Sequence, residues 1–82
     1  MRPEELRGGI VRELHIGGRY RHFKGMEYRV LALAKHSETG EPLVVYQQQY
    51  GDGGVWVRPL AMFLETVERD GKTVFRFTEI EE

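Results

Sequence analysis

Cysteine is absent from the chain. That removes disulfide staples, thiolate zinc sites and thiol nucleophiles together. A small secreted domain ordinarily leans on such staples, so the absence points to a reducing compartment, and the cytoplasm is the expected setting. Long apolar runs are missing as well. No stretch approaches a membrane span, and Met1-Arg2-Pro3-Glu4-Glu5 lacks the basic-then-apolar pattern of a signal peptide, so no membrane partner is expected. Net charge is only −1, which counts against strong non-specific binding to nucleic acid. Phosphate-loop and dinucleotide fingerprints do not occur. Gly51-Asp52-Gly53-Gly54 is glycine-rich but precedes a strand, whereas a phosphate cradle opens a helix. No cofactor is expected.

What is present fits one small domain of 82 residues, a size that buries roughly 60% of its unfolded surface. Charge is uneven along it. Residues 1–36 hold eight Lys/Arg against four Asp/Glu, and residues 37–82 hold four against nine, giving +4 and −5. A sheet that interleaves the two halves would shrink this dipole.

Residues 1–16 read as an N-terminal arm or short helix, with Pro3, Glu4 and Glu5 as a helix start and Gly8-Gly9 as an interruption. Ile10, Leu14 and Ile16 offer an apolar face to the domain or to a second copy. From Gly17 the pattern is that of strands: Tyr20 to Phe23, Tyr28 to His36, Leu43 to Tyr50 and Val55 to Arg58. Strict alternation puts Tyr28, Val30, Ala32, Ala34 and His36 on one face of the second strand. Its other face carries Leu31 and Leu33, which predicts a central strand covered on both sides. Pro59 opens a helical turn at residues 60–64. Asp70-Gly71 marks a hairpin, after which Phe75 and Phe77 share a face, and Glu79 to Glu82 form an acidic tail. The expected fold is mainly β, a small SH3-like barrel or β-roll over residues 17–82.

The segments Gly18-Arg19-Tyr20-Arg21-His22-Phe23-Lys24-Gly25, Tyr28-Arg29-Val30-Leu31, His36-Ser37-Glu38-Thr39, Val44-Val45-Tyr46, Tyr50-Gly51-Asp52, Trp56-Val57-Arg58-Pro59-Leu60, Met62-Phe63 and Arg76-Phe77 resemble, in order and spacing, a short bacterial family catalogued as domain of unknown function 1653. The resemblance covers about residues 17–78. It departs from the family pattern at Gln47-Gln48-Gln49, where a more varied run with a basic residue is usual, and at Phe75, where proline is usual. The resemblance implies no known activity, so function is read from the residues.

Three constellations stand out. His36, Ser37 and Glu38 lie in a polar turn and could read a polar ligand by hydrogen bonds, or Ser37 and Thr39 could cap the turn. Trp56 and Arg58 share a strand face, a pairing suited to stacking on a base and clamping a phosphate, or equally to a rim aromatic covered by an arginine. Arg21 and His22, with Arg19 and Lys24, alternate with Tyr20 and Phe23, as in single-strand binders or as in a solvated edge strand. His22, His36 and a carboxylate from Glu38 or Asp52 match no recognised ligand spacing, so no metal is expected. Ser37 follows His36 directly, and strand neighbours point apart, which disfavours a nucleophile–base pair.

The expectation is therefore a non-enzymatic binding module. Its polar-aromatic groove would be built from Arg21, His22, Tyr46, Trp56 and Arg58, with His36, Ser37 and Glu38 at one end. The ligand would be a nucleotide or single-stranded nucleic acid. The alternatives are a protein or peptide module, including a homodimer, and a small enzyme using His36 with a nearby carboxylate.

Overall fold

A computed structural model describes residues 13–81. It is mainly β: β1 (Arg19–His22), β2 (Glu27–Lys35), β3 (Pro42–Gln48), β4 (Val55–Pro59), β5 (Thr66–Arg69), β6 (Lys72–Phe75) and β7 (Phe77–Ile80), with one helix, α1 (Leu60–Leu64). Five strands form one antiparallel sheet in the order β4-β3-β2-β1-β7, and β5 and β6 form a separate hairpin. The sheet does not close. It ends on β4 and β7, so the closed-barrel form of the expectation gives way to an open, rolled one. Most of the expected N-terminal arm lies outside the described residues. Of its apolar face, Leu14 packs against the core and Ile16 stands exposed.

The core is aromatic. Phe63 and Phe77 stack in parallel with centroids 4.1 Å apart, and Tyr20, Tyr28 and Tyr46 meet them edge-on at 5.3–5.6 Å. Val30 and Val44 complete the fully buried set. Buried tyrosines require a partner for the hydroxyl, and each has one. Tyr20 Oη accepts from the His15 amide, Tyr28 Oη bonds Tyr50 Oη at 2.7 Å, and Tyr46 Oη accepts from Arg58 Nε at 3.2 Å. Burial first, and then the bond to Tyr50, push the Tyr28 phenol up to about 12.

α1 is a single turn, too short to persist on propensity. Pro59 holds an extended φ of −52° and ψ of 138° just before it, and the buried Phe63 ring fixes it over the sheet. Asp70 and Gly71 both take positive φ, 52° and 76°, as a two-residue turn of the hairpin type demands. The chain then breaks at Arg76. Phe75 ends β6 in the hairpin and Phe77 begins β7 in the sheet, so the expected continuous strand is two. Glu79 and Ile80 belong to β7 and not to a tail.

β2 departs from simple alternation. Val30 pairs Tyr46, but the next partnered residue, Ala32, pairs Val45, so Leu31 is an extra residue in a bulge. The faces swap there. Tyr28 and Val30 point to the core, Leu33 takes their face opposite Val44 but beyond the buried cluster, and Ala32 and Ala34 turn to the outer face with Val45 and Val57. β2 is central as expected, yet it is not covered on both sides: Leu31 and Leu33 remain exposed.

Candidate functional site

The register of β3 and β4 sets Trp56 opposite Tyr46 and Arg58 opposite Val44. Both therefore share the inner face, beside the part of the core that α1 leaves open. Arg58 donates from Nε to the Tyr46 hydroxyl, and its guanidinium carbon lies 5.8 Å from the Phe77 ring centre. β7 pairs with β1 so that Phe77 stands opposite His22. The His22 ring meets Phe77 edge-on at 5.0 Å and lies 4.4 Å from Phe23. Phe23 in turn carries Lys24 Nζ at 5.8 Å and the Arg69 guanidinium at 5.4 Å. The result is a ladder of three rings, Phe77, His22 and Phe23, with a cation at one end (Arg58) and two at the other (Lys24 and Arg69).

Electrostatics along the ladder are one-sided. Arg76 pairs with Glu65 at 2.6 Å and Arg69 lies 3.9 Å from Asp70. Among the described residues neither Arg58 nor Lys24 has a carboxylate within 4 Å. Burial, followed by repulsion from Arg58, Arg76, Lys24 and Arg69, holds the His22 imidazole below its ordinary value. Its Nδ1 accepts from the Lys24 amide at 3.1 Å, which leaves the proton of the neutral ring on Nε2. The sign of the linkage follows. The unfolded chain takes up the His22 proton at higher pH than the folded one, so this group's contribution is intact above about 6.5 and is lost as pH falls. We expect the His22 ring resonances to titrate below those of a model histidine in NMR, and to move toward the ordinary value when an anion occupies the ladder. A midpoint at or above the model value would contradict the positive field.

Trp56 is 54% exposed but not loose. Its indole Nε1 donates to Gln48 Oε1 at 2.5 Å, and Gln48 Nε2 is held by Asp52 Oδ1 and the Tyr50 carbonyl. Asp52 Oδ1 also accepts from the Gly54 amide at 3.0 Å. The glycine-rich loop thus serves as a brace for one indole. A Cβ on Gly54 would come within 3.3–3.4 Å of Asp52 Oδ1, Gln48 Oε1 and Trp56 Nε1, so any larger residue there would have to displace the brace by a few tenths of an ångström. Gln48→Ala is expected to leave the fold intact and to lower Trp56 fluorescence anisotropy while shifting emission to longer wavelength. Unchanged anisotropy would show that the indole is held by something else.

The remaining sequence candidates lie elsewhere. Arg21 points to the outer face and pairs with Glu27 at 2.8 Å, with Arg19 at 3.3 Å from the same carboxylate. The Arg21 hydrogen bond holds the Glu27 carboxyl below the usual range. β1 is interior, between β2 and β7, so an edge-blocking role does not account for its basic residues. His36, Ser37 and Glu38 occupy the far β2–β3 turn. His36 Nδ1 accepts from the Glu38 and Thr39 amides at 3.1 and 3.3 Å, and Thr39 Oγ1 accepts from Glu41. The turn is capped by its own side chains, with the imidazole in the chief role. His22 and His36 are separated by the nine residues of β2, about 30 Å at 3.3 Å per residue. Among the described residues no group of three or more His, Asp or Glu is arranged to hold a metal. Sequence reasoning missed Phe77, Phe23, Arg69 and Gln48 as members of the site. The return of β7 to β1 brings in Phe77, the approach of the β5–β6 hairpin to Phe23 brings in Arg69, and the β3–β4 connection brings Gln48 to Trp56.

No curated protein matches the sequence. A family model described as protein of unknown function (DUF1653) matches residues 18–79. The crystal structure of a protein of that family from Bordetella bronchiseptica is 37% identical and superposes with a TM-score of 0.73, over 80% of this chain and 87% of that one. The match runs from β1 into β7, and the chain belongs to the DUF1653 family.

Proposed function

We propose that this chain is a non-enzymatic binding module whose ligand is a nucleotide or single-stranded nucleic acid, seated along the cation–aromatic ladder. The observation that carries the reading is the state of Arg58. Its guanidinium lies over Phe77, bonded only to a neutral phenol, with no carboxylate to neutralise it. A half-buried arginine of this kind suits a phosphate, which it can grip bidentately. The Trp56 indole, two residues away and braced by Gln48, supplies a flat surface for a base. The overall charge of −1 restricts binding to this local positive strip, so affinity should be modest and salt-sensitive. A cytoplasmic setting belongs to the same proposal.

Titration of the labelled protein with short mixed-sequence RNA and DNA strands, at low and moderate salt, tests it. Amide shifts at 22–24, 56–58 and 77 that fade with salt are expected. No movement at either salt would exclude nucleic acid. A second reading, a protein-interaction module, is favoured by Val55, Trp56 and Val57, each more than half exposed on an edge strand.

A further inference from the structure

Of the two strands that end the sheet, β4 confines its charge and its proline to its last two positions, Arg58 and Pro59, and leaves its first three residues without either. Over these three residues there is no charge, no bulge and no proline, and Val55, Trp56 and Val57 are 55%, 54% and 60% exposed. Natural edges of this composition are ordinarily covered, charged or paired. The backbone phase follows from the ladder. Gln48 donates its amide to Gly54 O across the β3–β4 pair. Hydrogen-bonded pairs then alternate through Tyr46–Trp56 and Val44–Arg58, and the intervening residues Val55 and Val57 aim their N–H and C=O groups at the open edge. Among the described residues no strand takes them.

We infer that the occupant of this edge is the β4 edge of a second copy, paired antiparallel about a two-fold axis at Trp56. An isologous contact requires a patch that complements itself, and this one does. Centred on Trp56, the pairing sets Val55 against the partner's Val57, so that every edge-facing donor and acceptor of the two valines finds a mate. Trp56 then lies opposite the partner's Trp56 in a non-hydrogen-bonded position, where side chains approach most closely and aromatic pairs contribute. No like charges meet. Arg58, the one charged residue of the strand, comes opposite the partner's Gly54, which has no side chain to obstruct it. The pairing stops where it should, because Pro59, without an N–H, falls opposite Gly53. On the outer face Val55 and Val57 of both copies join the strip of Ala32, Val45 and Leu43 into one aliphatic band. This inference rests on strand order and backbone phase, and failure of the nucleic-acid titration leaves it standing.

Sedimentation of the unliganded full chain over roughly two decades of concentration reads the dimer directly. Wild type should pass from monomer to dimer, while Val57→Lys and, independently, Val55→Lys should weaken association at least about tenfold. Both sites are exposed, and a preserved amide spectrum confirms the fold of each variant. Hydrogen exchange supplies the second reading. The Val55 and Val57 amides should slow with rising concentration, whereas those of Trp56 and Arg58, already bonded to β3, should not change. A wild type that stays monomeric throughout overturns the inference. So does a dimer that both lysine variants leave intact, or one that does not protect Val55 and Val57.

Discussion

Alanine at Phe77 should cost about 3–5 kcal/mol, the range for deleting a buried aromatic ring. Phe77 is 1% exposed and stacks on Phe63 with planes 6° apart, while Tyr28, Tyr46 and His22 contact it edge-on. Sheet and helix meet at this ring: the sheet through Tyr28, Tyr46 and the backbone of β7, and α1 through Phe63. A domain of this size has little to spare against a total of about 5–15 kcal/mol. Urea denaturation should therefore show a large fall in midpoint, or a chain unfolded before urea is added. Phe77→Leu restores part of the volume and should recover part of the stability, but it still removes the ring between Arg58 and His22. A midpoint lowered by less than the equivalent of about 1 kcal/mol in Phe77→Ala would mean that the stack is not the centre of the core.

Replacing Arg58 by glutamine is the second large effect, and it falls on binding. A charge-assisted hydrogen bond is worth about 1.5–3 kcal/mol, which corresponds to roughly 10–100-fold weaker affinity for the RNA or DNA strand. If the guanidinium neutralises one phosphate, the slope of log affinity against log salt should also fall by about one. Arg58→Lys separates charge from geometry. It should keep the salt slope and lose part of the affinity, because an ammonium cannot reproduce the planar fork. The Tyr46 hydroxyl loses its donor in the glutamine variant, so a urea midpoint must be measured beside the affinity. Unchanged affinity in Arg58→Gln would remove the observation on which the functional reading rests.

At the His36 turn the structure shows one local role of the polar motif. His36, Ser37 and Glu38 bring hydrogen-bonding groups to a connector whose geometry calls only for glycine, asparagine or proline. The structure shows an imidazole Nδ1 standing in for an asparagine oxygen, accepting two backbone amides at once. Sequence carries no mark that separates a histidine capping a turn from one awaiting a ligand. Trp56 and Arg58 were legible as a pair, because residues two apart on a strand must share a face. Which face they share was not legible, since it depends on the register with β3.

The composition and the local pattern by themselves determined a great deal here. They specified a mainly β chain, the turn at Asp70-Gly71, the helical turn opened by Pro59, and the family to which those segments belong. These are short-range properties, because φ preferences, the missing proline N–H and a period of two act within a few residues. Tertiary structure alone decided the rest. The bulge at Leu31 turned Ala32 and Ala34 outward, the break at Arg76 sent Phe77 back to β1, and the sheet stayed open at β4. Each depends on pairing between residues far apart in the chain, where packing around the Phe63–Phe77 stack selects one register among several that the local sequence allows equally.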